Sequence, residues 1–438
     1  MKKKQKQMTS CIFLLLFLMF IQTSCKDEDK QSAYDPSVPV EITRIDPEEG
    51  GVGTQCLIYG KNFGTDLSNI EVTFNGKKAT LIGSDGSCIY CSVPIRAGSG
   101  SVKVTVGYSN EVQEAVSETS FKYKFIQRVS TLCGYQEPDG KSEMKDGLLS
   151  EAGFEYVEWL ELDKKTGDLY ILERQRAIRR LSIERDTLET IYPKTASIGH
   201  PRSLSFSPDG DTLYVSNDQD QQHGISVAVA LRSTGFKKLV GLIHSTSCCG
   251  GDCHPLNPGE YFYDKWWEGV IIKWDRTTQE SKELFQIANA LNGTIQFAPS
   301  GDFAYIVDRN AHVIYKAMYD KTTHELQKAQ PFVGARDQAG HSDNVGIAAR
   351  FNEPQQGCFD EEGNFYVCDQ GNYCIRKVEP TGNVTTFAGR PGEWGYADGD
   401  LRKEARFNRP HAIAYDAENK VFYVGDTFNQ RIRMILTE

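Results

Sequence analysis

FNEPQQGCFDEEGNFYVCDQGNYCIRKV (351–378) and FNRPHAIAYDAENKVFYVGDTFNQRIRMI (407–435) are two versions of one pattern. Each opens on Phe-Asn and runs through a short apolar segment to a turn rich in acids and Gly or Asn. An aromatic strand then closes on Asp369 or Asp426, and the unit turns at Asn372 or Asn429 into an Ile-Arg strand. Apolar runs this short, bounded by Gly, Asn and Asp, read as strands and tight turns. The aromatic of the second strand recurs upstream, at Tyr170, Tyr214, Tyr263, Tyr305, Tyr366 and Tyr423, with spacings of 44, 49, 42, 61 and 57. That period belongs to propeller blades. Residues 126–438 therefore hold six blades.

A second element fixes the register. VTTFAGRPGEWGYADGD leads into ARF at 405–407, PFVGARDQAGHSDNVG leads into ARF at 349–351, and VSTLCGYQEPDGKSEMKDG (129–147) leads to Gly153-Phe154. The last copy has no outer strand of its own, so residues near Arg128 to Cys133 are expected to supply it and close the ring without an exposed edge. Tyr366-Val367-Cys368-Asp369 with Asn372 and Ile375-Arg376-Lys377, and Tyr423-Val424-Gly425-Asp426 with Asn429 and Ile432-Arg433, resemble NHL repeats. The likeness is strongest in blades five and six. Blade three (HPLNPGEYFYDKWWEGVIIKWD, 254–275) departs most. Asp369 and Asp426, each beside a tight turn, read as acceptors for backbone N–H groups.

Residues 40–125 alternate short apolar runs with Gly, Asn and Pro turns; Val102, Val104 and Val106 have the period of a half-buried strand. Asn75-Gly76 between VTF and KKATL is a two-residue hairpin signal. Ile45-Asp46-Pro47, Gly50-Gly51, Gly53-Thr54, Ile58 to Gly64, Val72 to Gly76, Val93-Pro94 and Gly98-Ser99-Gly100 resemble the IPT/TIG family of immunoglobulin-like domains. The resemblance implies a spacer, with Tyr59 and Phe63 in its core. The expected fold class is thus all-β: an immunoglobulin-like (IPT/TIG) β-sandwich followed by a six-bladed NHL-type β-propeller.

Residues 1–24 read as a signal peptide: Lys2, Lys3, Lys4 and Lys6 precede an apolar run, Cys11 to Ile21, too short to span a bilayer. Gln22-Thr23-Ser24-Cys25 resembles a bacterial lipobox, which implies lipidation of Cys25. Residues 25–39 then form a tether, and Lys26 to Lys30 (KDEDK) resembles the signal that sends Bacteroidetes lipoproteins to the outer face of the outer membrane. Removing the signal moves the net charge from −10 to −14. An acidic chain excludes nucleic acid as a partner and favours a neutral or cationic ligand. Membrane contact is expected through the lipid only.

Of twelve cysteines, Cys368 and Cys374 flank DQGNY, and Cys248, Cys249 and Cys253 share one loop, CCGGDCHP (248–255). Export permits disulfides, so Cys368 with Cys374 and Cys248 with Cys253 are candidate pairs; the loop lacks the second spaced pair of a zinc site.

Neither GxSxG nor HExxH occurs. Six-bladed propeller enzymes such as lactonases resemble one another in using an axial divalent metal, and His200, Asn292, Gln356, His411, Glu173 and Asp308 are the residues that could project toward such an axis. They form a mixed set with no repeated carboxylate, so no cofactor and no catalytic residue is assigned. A glycan site instead needs an aromatic platform beside polar groups. Trp266, Trp267 and Trp274 with Tyr263 cluster in blade three, and Trp394 with Tyr396 lies in an interblade loop. With His200, His411 and Gln356, these are the candidate ligand contacts, while Trp159 in YVEWLEL reads as core. The whole layout resembles Bacteroidetes lipoproteins associated with glycan acquisition. That resemblance implies noncatalytic capture of an extracellular glycan beside an outer-membrane porin; a propeller hydrolase or lyase and a protein-binding scaffold are the alternatives.

Overall fold

The computed structural model describes residues 34–436 apart from 95–96, 109–110, 125–126, 137–141, 175, 195–197 and 220–223. Cys25, the signal segment and most of the tether lie outside the described residues. The chain divides into two compact units, one ending at residue 126 and one beginning at 127. Among the described residues no helix is long and apolar enough to cross a membrane.

The smaller unit is a sandwich of two four-stranded sheets. One has the order Glu41–Asp46, Gln55–Lys61, Cys88–Ser92, Thr80–Ser84, and the other Lys77–Lys78, Ile70–Phe74, Val102–Tyr108, Glu111–Val116. Asn75 and Gly76 both have positive φ, 46° and 80°, the requirement of the tight hairpin that pairs Phe74 with Lys77. Alternate residues of the two sheets, among them Ile58, Val72, Phe74, Ile89, Val102 and Val104, meet in one core with Phe63 and Phe121. Tyr59 is only half-buried, and Arg44 lies 4.3 Å over its ring.

The larger unit is a ring of six antiparallel blades. Their inner strands are Val157–Leu162, Pro201–Phe206, Gly251–Cys253, Gly293–Phe297, Pro354–Phe359 and Pro410–Asp416. Closure occurs as expected: Arg128–Cys133 forms the outer strand of blade six, with Val129 opposite Ile435 and Thr131 opposite Arg433. Short extra strands lengthen two edges, Gly399–Asp400 on Arg128–Cys133 and Asn344–Val345 on blade five.

The repeated Asp and Arg residues build one staple three times. Arg376, fully buried, donates to Asp369 (2.8 Å), Asp343 (2.8 Å) and the carbonyl oxygens of Arg350 and Ser342 (2.8 and 2.9 Å). Arg433 does the same with Asp426, Asp398, Arg406 and Ala397, and Arg179 with Glu173, Asp146, Gly153 and Lys145. Beneath each guanidinium, 5.0–5.2 Å away, lies the Phe of the repeat: Phe351, Phe407 or Phe154. The loop acid in turn accepts the backbone N–H of an outer-strand threonine, Thr386, Thr131 or Thr190. A buried arginine is stable only when its charge is paired and its donors are largely used, and this arrangement does both, with Arg376 Nε the one guanidinium nitrogen of the three staples left without a partner among the described residues. It ties each interblade loop to its blade.

Two expectations about sulfur are corrected. All ten cysteines within the described residues are free thiols. Cys368 lies opposite Ile375 and Cys374 opposite Asp369, so the hairpin register is one residue off symmetric and the two sulfurs point to opposite faces of the sheet. Cys248 and Cys253 are separate buried thiols in the packing around blade three, where Cys248 faces the Asp264 carboxylate at 3.6 Å. Among the described residues no group of three or more His, Cys, Asp or Glu is placed to hold a metal ion.

Candidate functional site

In each blade the inner strand runs from one end of the ring to the other, and the first turn, the second strand and the second turn follow. First turns therefore gather at the mouth where inner strands finish, here called lower, and second turns at the opposite, upper mouth.

At the upper mouth Glu158, 2% exposed, meets Arg202 at 3.0 Å and Arg174 at 3.9 Å. Burial pushes its carboxyl above the usual range against the pull of these arginines and Arg309. His411 is buried beside it, and burial together with Arg309 and Arg202 depresses its pKa, so the ring is neutral. Among the described residues Glu158 Oε2, Arg309 Nε and His411 Nδ1 have no hydrogen-bond partner. The void they line is about 20 Å³, the scale of one water molecule and too small for a sugar.

The lower mouth opens into a cavity of about 340 Å³ lined by the inner strands of all six blades. That volume lies within the range of small-molecule sites, roughly 300–1,000 Å³. Phe206, Phe297, Phe359, Tyr415 and Trp159 form its apolar wall. Two carboxylates enter from different blades. Asp252 accepts from Ser205 Oγ (2.6 Å), its neighbour Cys253 N (2.9 Å) and Phe297 N (2.8 Å). Glu161 has only a long contact from Phe206 N, 3.4 Å, and a weak one from the Trp159 indole. Burial raises Glu161 to about 8, with the charge of Asp252 adding to it, and raises Asp252 to about 6. Among the described residues neither acid forms an ion pair; exposed Lys164 is the cation that their fields reach. Two N–H donors on the same wall are poorly used although their residues are 3% and 8% exposed: among the described residues Gln296 Nε2 lacks a partner, and Trp159 Nε1 reaches only weakly toward Glu161.

The residues singled out in the sequence scatter. Trp266 and Trp267 sit in the second turn of blade three, at the upper end, with ring centroids 4.3 Å apart and Trp267 56% exposed. Trp274 and Tyr263 are corrected: they are interior, 4% and 2% exposed, because their strands are covered by blade two. Tyr396 and Trp394 are both exposed, the Tyr396 ring lying 4.0 Å from the Arg431 guanidinium and its hydroxyl 2.9 Å from Thr131 Oγ1 on the loop over blade six. His200 is exposed at the upper end, its backbone N–H donated to Asn217. Gln356 reaches the lower cavity but spends its amide on backbone, accepting from Leu160 N (3.0 Å) and donating to Leu160 O (2.7 Å). Glu173 belongs to the blade-one staple, Asp308 accepts from Ala311 N, and Asn292 lines the upper void. Glu161, Asp252 and Gln296 were not singled out, although each is a polar residue interrupting an apolar inner strand, in WLEL, GGDC and TIQF.

The IPT/TIG domain model matches residues 39–123, and the SMP-30/gluconolactonase/LRE-like region matches residues 259–394. An auxiliary nutrient binding protein of Bacteroides thetaiotaomicron is 35% identical, with 92% of this chain and 99% of that chain covered and a TM-score of 0.69. One of Bacteroides ovatus is 31% identical, with 93% and 100% covered and a TM-score of 0.78. A further Bacteroides thetaiotaomicron chain, provisionally assigned as a phosphatase, is 31% identical, with 93% and 99% covered and a TM-score of 0.69. NHL repeat-containing protein 2 of Bos taurus is 35% identical over 98 residues, which are 22% of this chain and 13% of that protein, so the chain spans only a small part of this curated relative.

Proposed function

The chain belongs to the family of two-domain Bacteroides proteins that includes the auxiliary nutrient binding proteins of B. thetaiotaomicron and B. ovatus, and from that premise we propose that its propeller captures an extracellular glycan without transforming it. The observation that carries this reading is the lower cavity, where aromatic rings adjoin carboxylates and poorly used N–H donors. Sugar rings have the matching surfaces, C–H faces for the aromatics and hydroxyls for the polar groups. In this reading the sandwich is a spacer, Cys25 carries the lipid, and the protein works at the outer membrane surface beside a porin.

A hydrolase working from the same cavity is the second reading. It is favoured by the presence of two carboxylates of different proton affinity in one pocket, the arrangement general acid–base chemistry uses. Native electrophoresis through gels containing a panel of polysaccharides tests both. Retarded migration that Gln296→Leu weakens about tenfold, with the glycan recovered intact, is the expected result. No retardation by any glycan overturns the capture reading, and shortened glycan products favour the hydrolase. Trp267→Ala serves as the opposite-mouth control, since loss of retardation there moves the site to the upper end.

A further inference from the structure

Two half-buried carboxyl groups without a cation are costly to ionise together, because charge is stabilised in such a cavity only by a partner of opposite sign or by abundant hydrogen bonds. Asp252 has three short donors, whereas Glu161 has a long contact from Phe206 N and a weak one from Trp159. Elsewhere in the ring buried acids are either matched to arginine, as Glu173 to Arg179, Asp369 to Arg376, Asp426 to Arg433 and Asp163 to Arg232, or held by short N–H donors, as Asp264 is by Cys249 and Gly250 and Asp360 by Asn364. Among the described residues Glu161 has neither an ion pair nor a short donor. Lys164, whose charge acts on both acids, is itself exposed.

We infer that the lower cavity takes a sugar bearing a protonated amine, its ammonium held between Glu161 and Asp252. Gln296 Nε2, without a partner among the described residues, and Trp159 Nε1, which reaches only weakly toward Glu161, supply a second sign of a ligand, since buried N–H groups without good acceptors are rare. They match the second half of an amino sugar, its hydroxyl oxygens, while the aromatic wall takes the ring's C–H face. A simple amine satisfies only the carboxylates, and a neutral sugar satisfies only the donors and the wall. The chain's acidic balance acts in the same direction by drawing cationic glycans toward the protein.

The inference rests on the cavity being the capture site, and calorimetry on the full chain separates the two. Short fully deacetylated glucosamine oligomers are compared with their N-acetylated counterparts, and spermidine serves as an amine without a sugar. Deacetylated oligomers are expected to bind at least about tenfold tighter than either comparator. Glu161→Gln is expected to abolish that preference while leaving the melting temperature intact, since Glu161 makes only weak contacts that an amide oxygen can keep; Asp252→Asn is the second variant. Equal affinity for acetylated and deacetylated oligomers overturns the amine assignment and leaves capture standing. Spermidine binding as tightly as the oligomers overturns the sugar component. A preference that survives Glu161→Gln and Asp252→Asn removes it from this cavity.

Discussion

At the scale of the residue, the acids of this propeller divide by partner. Asp369 and Asp426 were legible as structural from the turn beside them, and the repeated Ile-Arg strand was visible too. The bond between them was not, because the third member of each staple lies in a loop some 30 residues away along the chain, as Asp343 does from Arg376. The consequence is measurable by urea denaturation of the propeller. Arg376→Met leaves Asp369 buried and unpaired and should lower stability by about 3–5 kcal/mol. Asp343→Asn weakens a partner that is 40% exposed and should cost no more than about 1 kcal/mol. Equal effects for the two variants would mean that the staple is not organised around the buried pair. The site acids were harder to read. Glu161 and Asp252 come from different blades, 91 positions apart, and nothing short of the closed ring brings them together.

At the scale of the element, the hairpin 365–378 shows why a correct strand assignment can still misplace side chains. Tyr373 takes a left-handed φ of 59° after a short 3-10 turn, Gln370–Asn372, and that geometry sets the pairing one residue off symmetric. Period-2 alternation then carries Cys368 and Cys374 to opposite faces. Closure was legible for a simpler reason, since the last repeat ended one strand short. Val129 and Ile435, paired there and fully buried, face each other with no room for charge. Val129→Asp should therefore detach Arg128–Cys133 at a cost of about 3 kcal/mol or more. Hydrogen exchange should speed along Arg431–Leu436 while the strands of blades two to four stay protected, and the freed edge should promote association on size exclusion. Protection unchanged at Arg431–Leu436 would show that the ring does not depend on this strand.

At the scale of the whole molecule, average domain sizes would have divided residues 126–438, and the sixfold repeat forbids it, because every blade buries its faces against two neighbours. The core of blade one illustrates the point: Leu160 and Ile171 pack in one cluster with Ala412, Tyr423 and Ile432 of blade six, across more than 240 positions of chain. The sandwich shares none of this. Its cluster of Ile58, Phe63, Val72, Phe74 and Phe121 is drawn wholly from residues before 126. Two units with separate cores should unfold as two cooperative transitions. Phe74, fully buried with its ring 4.9 Å from Phe121, reports on one of them alone. Phe74→Ala should lower the sandwich transition by the equivalent of about 3–5 kcal/mol. The propeller transition, and with it binding in the axial cavity, should not move. Calorimetric scans of the full chain and of residues 127–438 check this: the shorter chain should reproduce the unmoved transition. A single transition that shifts as a whole with Phe74→Ala would instead mean that the two cores are thermodynamically one, and that the sandwich contributes to the stability of the propeller.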